Sequence, residues 1–174
     1  ENIYLEMKEN LIQIDNNLLE YLSNNNFKTI VSLRYDKRKK EYEYYQNLFG
    51  NLVHIDERVR PSIGESYNTY QSMLNSDIII SSFSTAAIEA FGMGKKVLLV
   101  DFSKENIFAD YEDGIWILKE KEFDRFKSKL NYLFEINLSD YQSQTREYAE
   151  YLMNYNNLVP TYKIISDQIN SYIS

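Results

Sequence analysis

Cysteine is missing from all 174 residues, and only one histidine, His54, is present. The first absence rules out a disulfide framework and a thiolate metal site. The second leaves too few imidazoles for a histidine-based zinc centre. No apolar run nears the roughly 20 residues needed to span a bilayer, and no signal peptide is evident. The expected setting is therefore cytoplasmic, with peripheral association at the inner membrane face left open. Positive charge is also scarce: 19 Lys and Arg against 26 Asp and Glu give a formal net charge of -7. Nucleic-acid binding needs clustered cations to meet phosphates, so that class of partner is excluded as a general function. The opening residue is Glu1 rather than Met, as expected for a segment of something longer.

What remains is the composition of an ordinary globular domain, 44% hydrophobic and 26% charged, long enough to bury a core. Five short apolar runs stand out: "TIVSL" (29–33), "LVHI" (52–55), "DIIIS" (77–81), "KVLLVDF" (96–102) and "GIWIL" (114–118). They are near-continuous rather than alternating, the pattern of strands buried on both faces. Helical segments at 37–49, 66–75 and 84–93 fall between them, and strand–helix alternation predicts right-handed βαβ units around a parallel sheet. Leu11, Ile14, Leu18, Leu19 and Leu22 form an apolar helical stripe before the first strand. Three helices, about 120–134, 139–153 and 160–173, follow the last strand, with Pro160 suited to the first turn of the final one. The expected fold is a single α/β domain over 1–174, three-layered and Rossmann-like, its parallel sheet of about five to six strands covered by helices on both faces.

The stretch after the third strand carries the chemistry. In "SSFSTAAIEAFGMGKKV" (81–97), Ser81, Ser82, Ser84 and Thr85 crowd the point where a strand ends and a helix begins. Open parallel sheets bind ligands outside their carboxyl ends, and a helix N-terminus offers unpaired amides and a positive dipole end to a phosphate. A lone N-cap serine would explain one hydroxyl, not four in five positions. Glu89 is the second signal. A capping box with Ser84 or Thr85 as cap needs Glu at 87 or 88, where the chain has Ala87 and Ile88. Surrounded by Ala86, Ala87, Ile88, Ala90 and Phe91, the Glu89 carboxylate wants donors. One turn past a phosphate corner, it is suited to accept both hydroxyls of a ribose. Gly92 and Gly94 end the helix, with Lys95 and Lys96 expected to complement its negative end.

The run "YQSMLNSDIIISSFSTAAIEAFGMGKKVL" (70–98) resembles the nucleotide-binding C-terminal half of GT-B glycosyltransferases, especially those of bacterial surface polysaccharides. It is more distantly similar to glycerophosphotransferases and UDP-sugar 2-epimerases, and these remain as alternatives. The resemblance implies that Ser82, Ser84 and Thr85 hold a donor diphosphate and that Glu89 binds the ribose. It implies a basic residue near the end of the first strand, where Arg34 stands within "RYDKRKK" (34–40), and nucleobase contacts from Val59 and Arg60 in "DERVRPSIGES" (56–66). Asp101, ending the fourth strand, would meet the donor's sugar, and the loop after it, with Asp110 or Asp113, would close over the donor. The implied donor is a nucleotide-activated sugar, with no cofactor and no metal. The catalytic base is unassigned, because this fold keeps it on an N-terminal acceptor-binding domain; the chain alone is expected to be inactive. His54, inside a strand, is expected to be a core residue. A non-enzymatic flavodoxin-like module is the alternative of another class, although Arg34 and serines stand where it needs acidic groups. A nicotinamide domain is disfavoured by the lack of G-x-G-x-x-G.

Overall fold

A computed structural model describes residues 2–33, 39–56, 68–82, 84–102, 113–153, 159 and 161–173. Over these residues the chain is an α/β protein of seven α-helices and five parallel strands. The order is α1 (Asn2–Ser23), β1 (Thr29–Ser32), α2 (Lys39–Phe49), β2 (Val53–Asp56), α3 (Asn68–Asn75), β3 (Ile78–Ser81), α4 (Thr85–Gly92), β4 (Lys96–Val100), β5 (Ile117–Leu118), α5 (Phe123–Glu135), α6 (Leu138–Leu152) and α7 (Thr161–Ile173). A short 3-10 turn, Gly50–Leu52, leads into β2.

Where one sheet of five to six strands was expected, five strands form two. β1 pairs with β2, from Thr29 opposite Val53 to Ser32 opposite Asp56. β4 pairs with β3 and with β5. β1 and β3 each have one ladder partner, and both line a cavity of about 1450 Å³ together with side chains of α1 and α3. Burial follows the pairing: Val97, Leu98, Leu99 and Val100 of doubly paired β4 have no exposure, whereas β3 is half-buried throughout. The fifth run is also shorter than expected, because Gly114, Ile115 and Trp116 turn before the strand begins.

The core centres on β4 and the helices against it, with Phe91, Phe126, Leu130, Leu133 and Tyr141 fully or almost fully buried. Its edge is finished by a side chain. Leu99 and Asp101 donate their amides to Trp116 and Leu118 of the β5 segment. Val97, two residues earlier on the same side of β4, finds no strand there. The Tyr141 hydroxyl of α6 takes that place, accepting from the Val97 amide at 3.0 Å and donating to its carbonyl at 3.2 Å. Aromatic rings fill the same side in a run Phe91, Trp116, Tyr148 and Tyr151, with neighbouring centroids 5.6, 4.9 and 6.1 Å apart. The tyrosine-rich composition thus serves packing here.

Helix α1 lies against the carboxyl ends of the larger sheet through polar side chains on its buried face. Asn10 donates to the Ser82 hydroxyl at 3.1 Å and accepts from the Phe102 amide at 2.9 Å, tying the ends of β3 and β4 together. Asn17 and Tyr21, further along the helix, reach the Lys121 carbonyl and Asn131.

Candidate functional site

The corner that opens α4 is built as follows. β3 ends at Ser81, and Ser84 has the extended backbone of an N-cap, with φ -111° and ψ 124°. Its carbonyl receives the Ala87 and Ile88 amides, but its side chain makes no capping bond. A serine at this position ordinarily spends its hydroxyl on the helix's own amides; this one does not. Of the first-turn amides, Ala87 already gives to the Ser84 carbonyl; those of Thr85 and Ala86 come too early to have an acceptor within the helix, and they carry the positive end of its dipole. At the other end the helix closes with a Schellman motif. Gly94, at φ 77°, gives its amide to the Phe91 carbonyl, and Lys95 gives its amide to that of Ala90.

The structure divides the expected site residues into two groups. Ser81, Ser82 and Ser84 line the cavity that β1 and β3 also line, together with Ala86 and Ala87. Ser82 is buried, its hydroxyl engaged by Asn10. Thr85 is exposed, and Glu89 is half-buried one turn further along the same helix face. Glu89 has the donor its surroundings demanded: the Tyr70 hydroxyl of α3 donates to Oε2 at 2.6 Å. Asp101 is 1% exposed at the end of β4, with its amide on the Leu118 carbonyl. Arg34, Val59 and Arg60 lie outside the described residues, as do Lys37, Arg38 and Asp110. Asp113 is described; it is exposed and paired with Lys119 at 2.8 Å, which holds its carboxyl below the usual range.

Two local expectations are corrected. His54 is exposed, because β2 is an edge strand and His54 points away from the packed face. Lys95 and Lys96 do serve helix C-termini, but of other helices. Lys95 donates to the Leu74 carbonyl at the end of α3, and Lys96 to the Leu133 and Ile136 carbonyls at the end of α5.

Several polar residues near the strand ends had no place in the sequence reading. Asp56, ending β2, accepts from Asn68 and Ser72 of α3, each at 2.7 Å. Asp15 of α1 is buried beside the cavity and accepts from the Tyr44 hydroxyl of α2 at 3.0 Å. Burial pushes its carboxyl up to about 6, against the lowering effect of that hydrogen bond. The Tyr44 hydroxyl is in turn pushed up to about 12, by burial first and then by the Asp15 charge and hydrogen bond. Tyr70 and Asn10 did carry a trace: Tyr70 heads the "YQSML" run, and Asn10 and Asn17 share one helix face at a seven-residue spacing. Among the described residues no group of three or more His, Asp or Glu is placed to hold a metal, and no helix is long and apolar enough to cross a membrane. Comparison with protein-family models, with curated proteins and with solved structures finds no match.

Proposed function

We propose that this chain binds a nucleotide-activated sugar and is the nucleotide-binding half of a GT-B-type glycosyltransferase of surface-polysaccharide assembly, with the Rossmann-like three-layer organisation that this implies. The observation that carries the reading is the start of α4. The Ser84 hydroxyl is left over from capping at the carboxyl end of a parallel strand, and a carboxylate, Glu89, follows at half-burial. In this reading the first-turn amides and the Ser84 and Thr85 hydroxyls receive the diphosphate. Glu89 accepts from the ribose, and Ser82, held by Asn10, keeps the turn in shape. Arg34 adds positive charge from the end of the first strand, Val59 and Arg60 meet the base, and Asp101 lies toward the sugar.

Catalysis follows from holding charge. The departing nucleoside diphosphate gains negative charge as the glycosidic bond breaks, and preorganised amides, hydroxyls and a guanidinium stabilise it without reorganising. No metal enters this scheme. The acceptor's proton goes to a base on another domain. Helix α7 supports such a partner, because it presents Ile164, Ile165, Ile169 and Tyr172 to solvent, an apolar face of the kind that interdomain contacts cover.

Calorimetric titration tests the reading. Uridine, cytidine and guanosine are compared with their diphosphates at low and at raised salt. At least one diphosphate should bind more tightly than its nucleoside, by a margin that salt erodes. Equal affinity of every nucleoside and its diphosphate removes the phosphate site.

A further inference from the structure

Glu89 has two carboxylate oxygens, and a symmetric grip on a ribose would use both. One of them, Oε2, already has a donor on one of its two acceptor sites, which leaves Oε1 the freer oxygen. Tyr70 donates to Oε2 at 2.6 Å, the short distance of a charge-assisted bond between a hydroxyl and a carboxylate.

Tyr70 is also well fixed. Its helix α3 is pinned where it starts by Asn68 and Ser72, which occupy the two oxygens of Asp56. Met73 is buried beneath it, and Lys95 holds the Leu74 carbonyl near its end. A glutamate has three side-chain torsions, and a half-exposed one ordinarily spreads over several rotamers. Anchoring one oxygen to a hydroxyl on a pinned helix removes most of that freedom before a ligand arrives, which is what preorganisation means for binding.

We propose that Tyr70 is a positioning residue for Glu89. It holds Oε2 and presents Oε1 as the ribose acceptor, so that the carboxylate selects one ribose hydroxyl over the other. This rests on the nucleotide reading above and narrows it, since the symmetric contact with both hydroxyls is given up. The competing view is that the bond only clamps α3 to α4. A clamp affects stability. A positioning bond also affects which hydroxyl the site reads.

The test uses the whole chain with UDP, CDP and GDP; the tightest is carried forward with its 2′-deoxy and 3′-deoxy forms. For the unaltered chain, one deoxy form should bind about tenfold more weakly than the parent and the other within about twofold, the cost of one hydrogen bond to a charged group. Tyr70→Phe should weaken parent binding by about tenfold and level the two deoxy forms. Glu89→Gln, whose amide cannot match a carboxylate as acceptor, should level them as well.

If the unaltered chain binds none of the three diphosphates, the nucleotide reading falls and the positioning role falls with it. If it binds but loses affinity equally with both deoxy forms, the nucleotide reading stands and the one-oxygen proposal is overturned. Unchanged affinity and unchanged deoxy preference in a folded Tyr70→Phe protein likewise reduce Tyr70 to a clamp. Should Tyr70→Phe fail to fold, the deoxy comparison on the unaltered chain still decides.

Discussion

At Asp15 a single carboxyl carries a consequence for the whole chain. Its proton is bound more tightly in the folded state, near 6, than at the ordinary 3.8. The unfolded chain therefore releases that proton first as pH rises. The contribution of Asp15 to stability is full below about 4, declines between about 4 and 6, and is level above. Asp15→Asn keeps an acceptor for Tyr44 and abolishes the titration. It should stabilise the protein at pH 7.5 by on the order of 2 kcal/mol and leave it unchanged near pH 4, as read by urea unfolding at both values. Equal effects at the two pH values would contradict the assignment. Glu89 bears on binding instead. Glu89→Ala removes the charge-assisted bond to the ribose, worth ~1.5–3 kcal/mol, so nucleotide affinity should drop by about 10- to 100-fold with the fold intact. Unaltered affinity would end the ribose role.

Elements were the part of this structure most legible in the sequence. Among the described residues the five strands and six of the seven helices fall within a few residues of the expected segments, because strand and helix periods are local properties; α1 begins at Asn2, nine residues before its apolar stripe. What escaped is non-local. Asn10 and Ser82 are 72 residues apart and Tyr70 and Glu89 are 19 apart, and no period links such partners. His54 was misjudged because an apolar run does not reveal whether its strand will sit at an edge. The shortness of β5 was hidden for a similar reason: "GIWIL" has strand composition throughout, yet Gly114 to Trp116 turn, and a tyrosine from α6 completes β4. That substitution of side chain for strand is testable. Tyr141→Phe leaves the Val97 amide buried without its partner and should cost about 1–3 kcal/mol, measured as a lower urea midpoint with an unchanged slope. A midpoint equal to that of the parent would mean the hydroxyl contributes nothing to the edge.

On the scale of the whole molecule, one buried cluster runs from α1 through β4 to α6, with β3 and Val53 of β2 packed against it, while α7 is exposed along its described side chains, Ile164, Ile165, Ile169 and Tyr172 included. Under the proposed reading, with the acceptor's base on another domain, this chain should bind a donor without completing transfer. Incubated with its best nucleotide-sugar and candidate acceptors, it should release nucleotide no faster than background; sustained turnover by this chain alone would contradict the half-enzyme reading. The claim beneath all of this is that the start of α4 is where the nucleotide sits. Amide resonances followed during titration with the preferred nucleoside diphosphate locate it directly. The largest shifts are predicted at Ser84, Thr85, Ala86 and Ala87, with a smaller response at Glu89 and Tyr70. Saturable binding that leaves those amides unmoved, with its shifts confined to other elements, would place the ligand elsewhere and contradict the central claim.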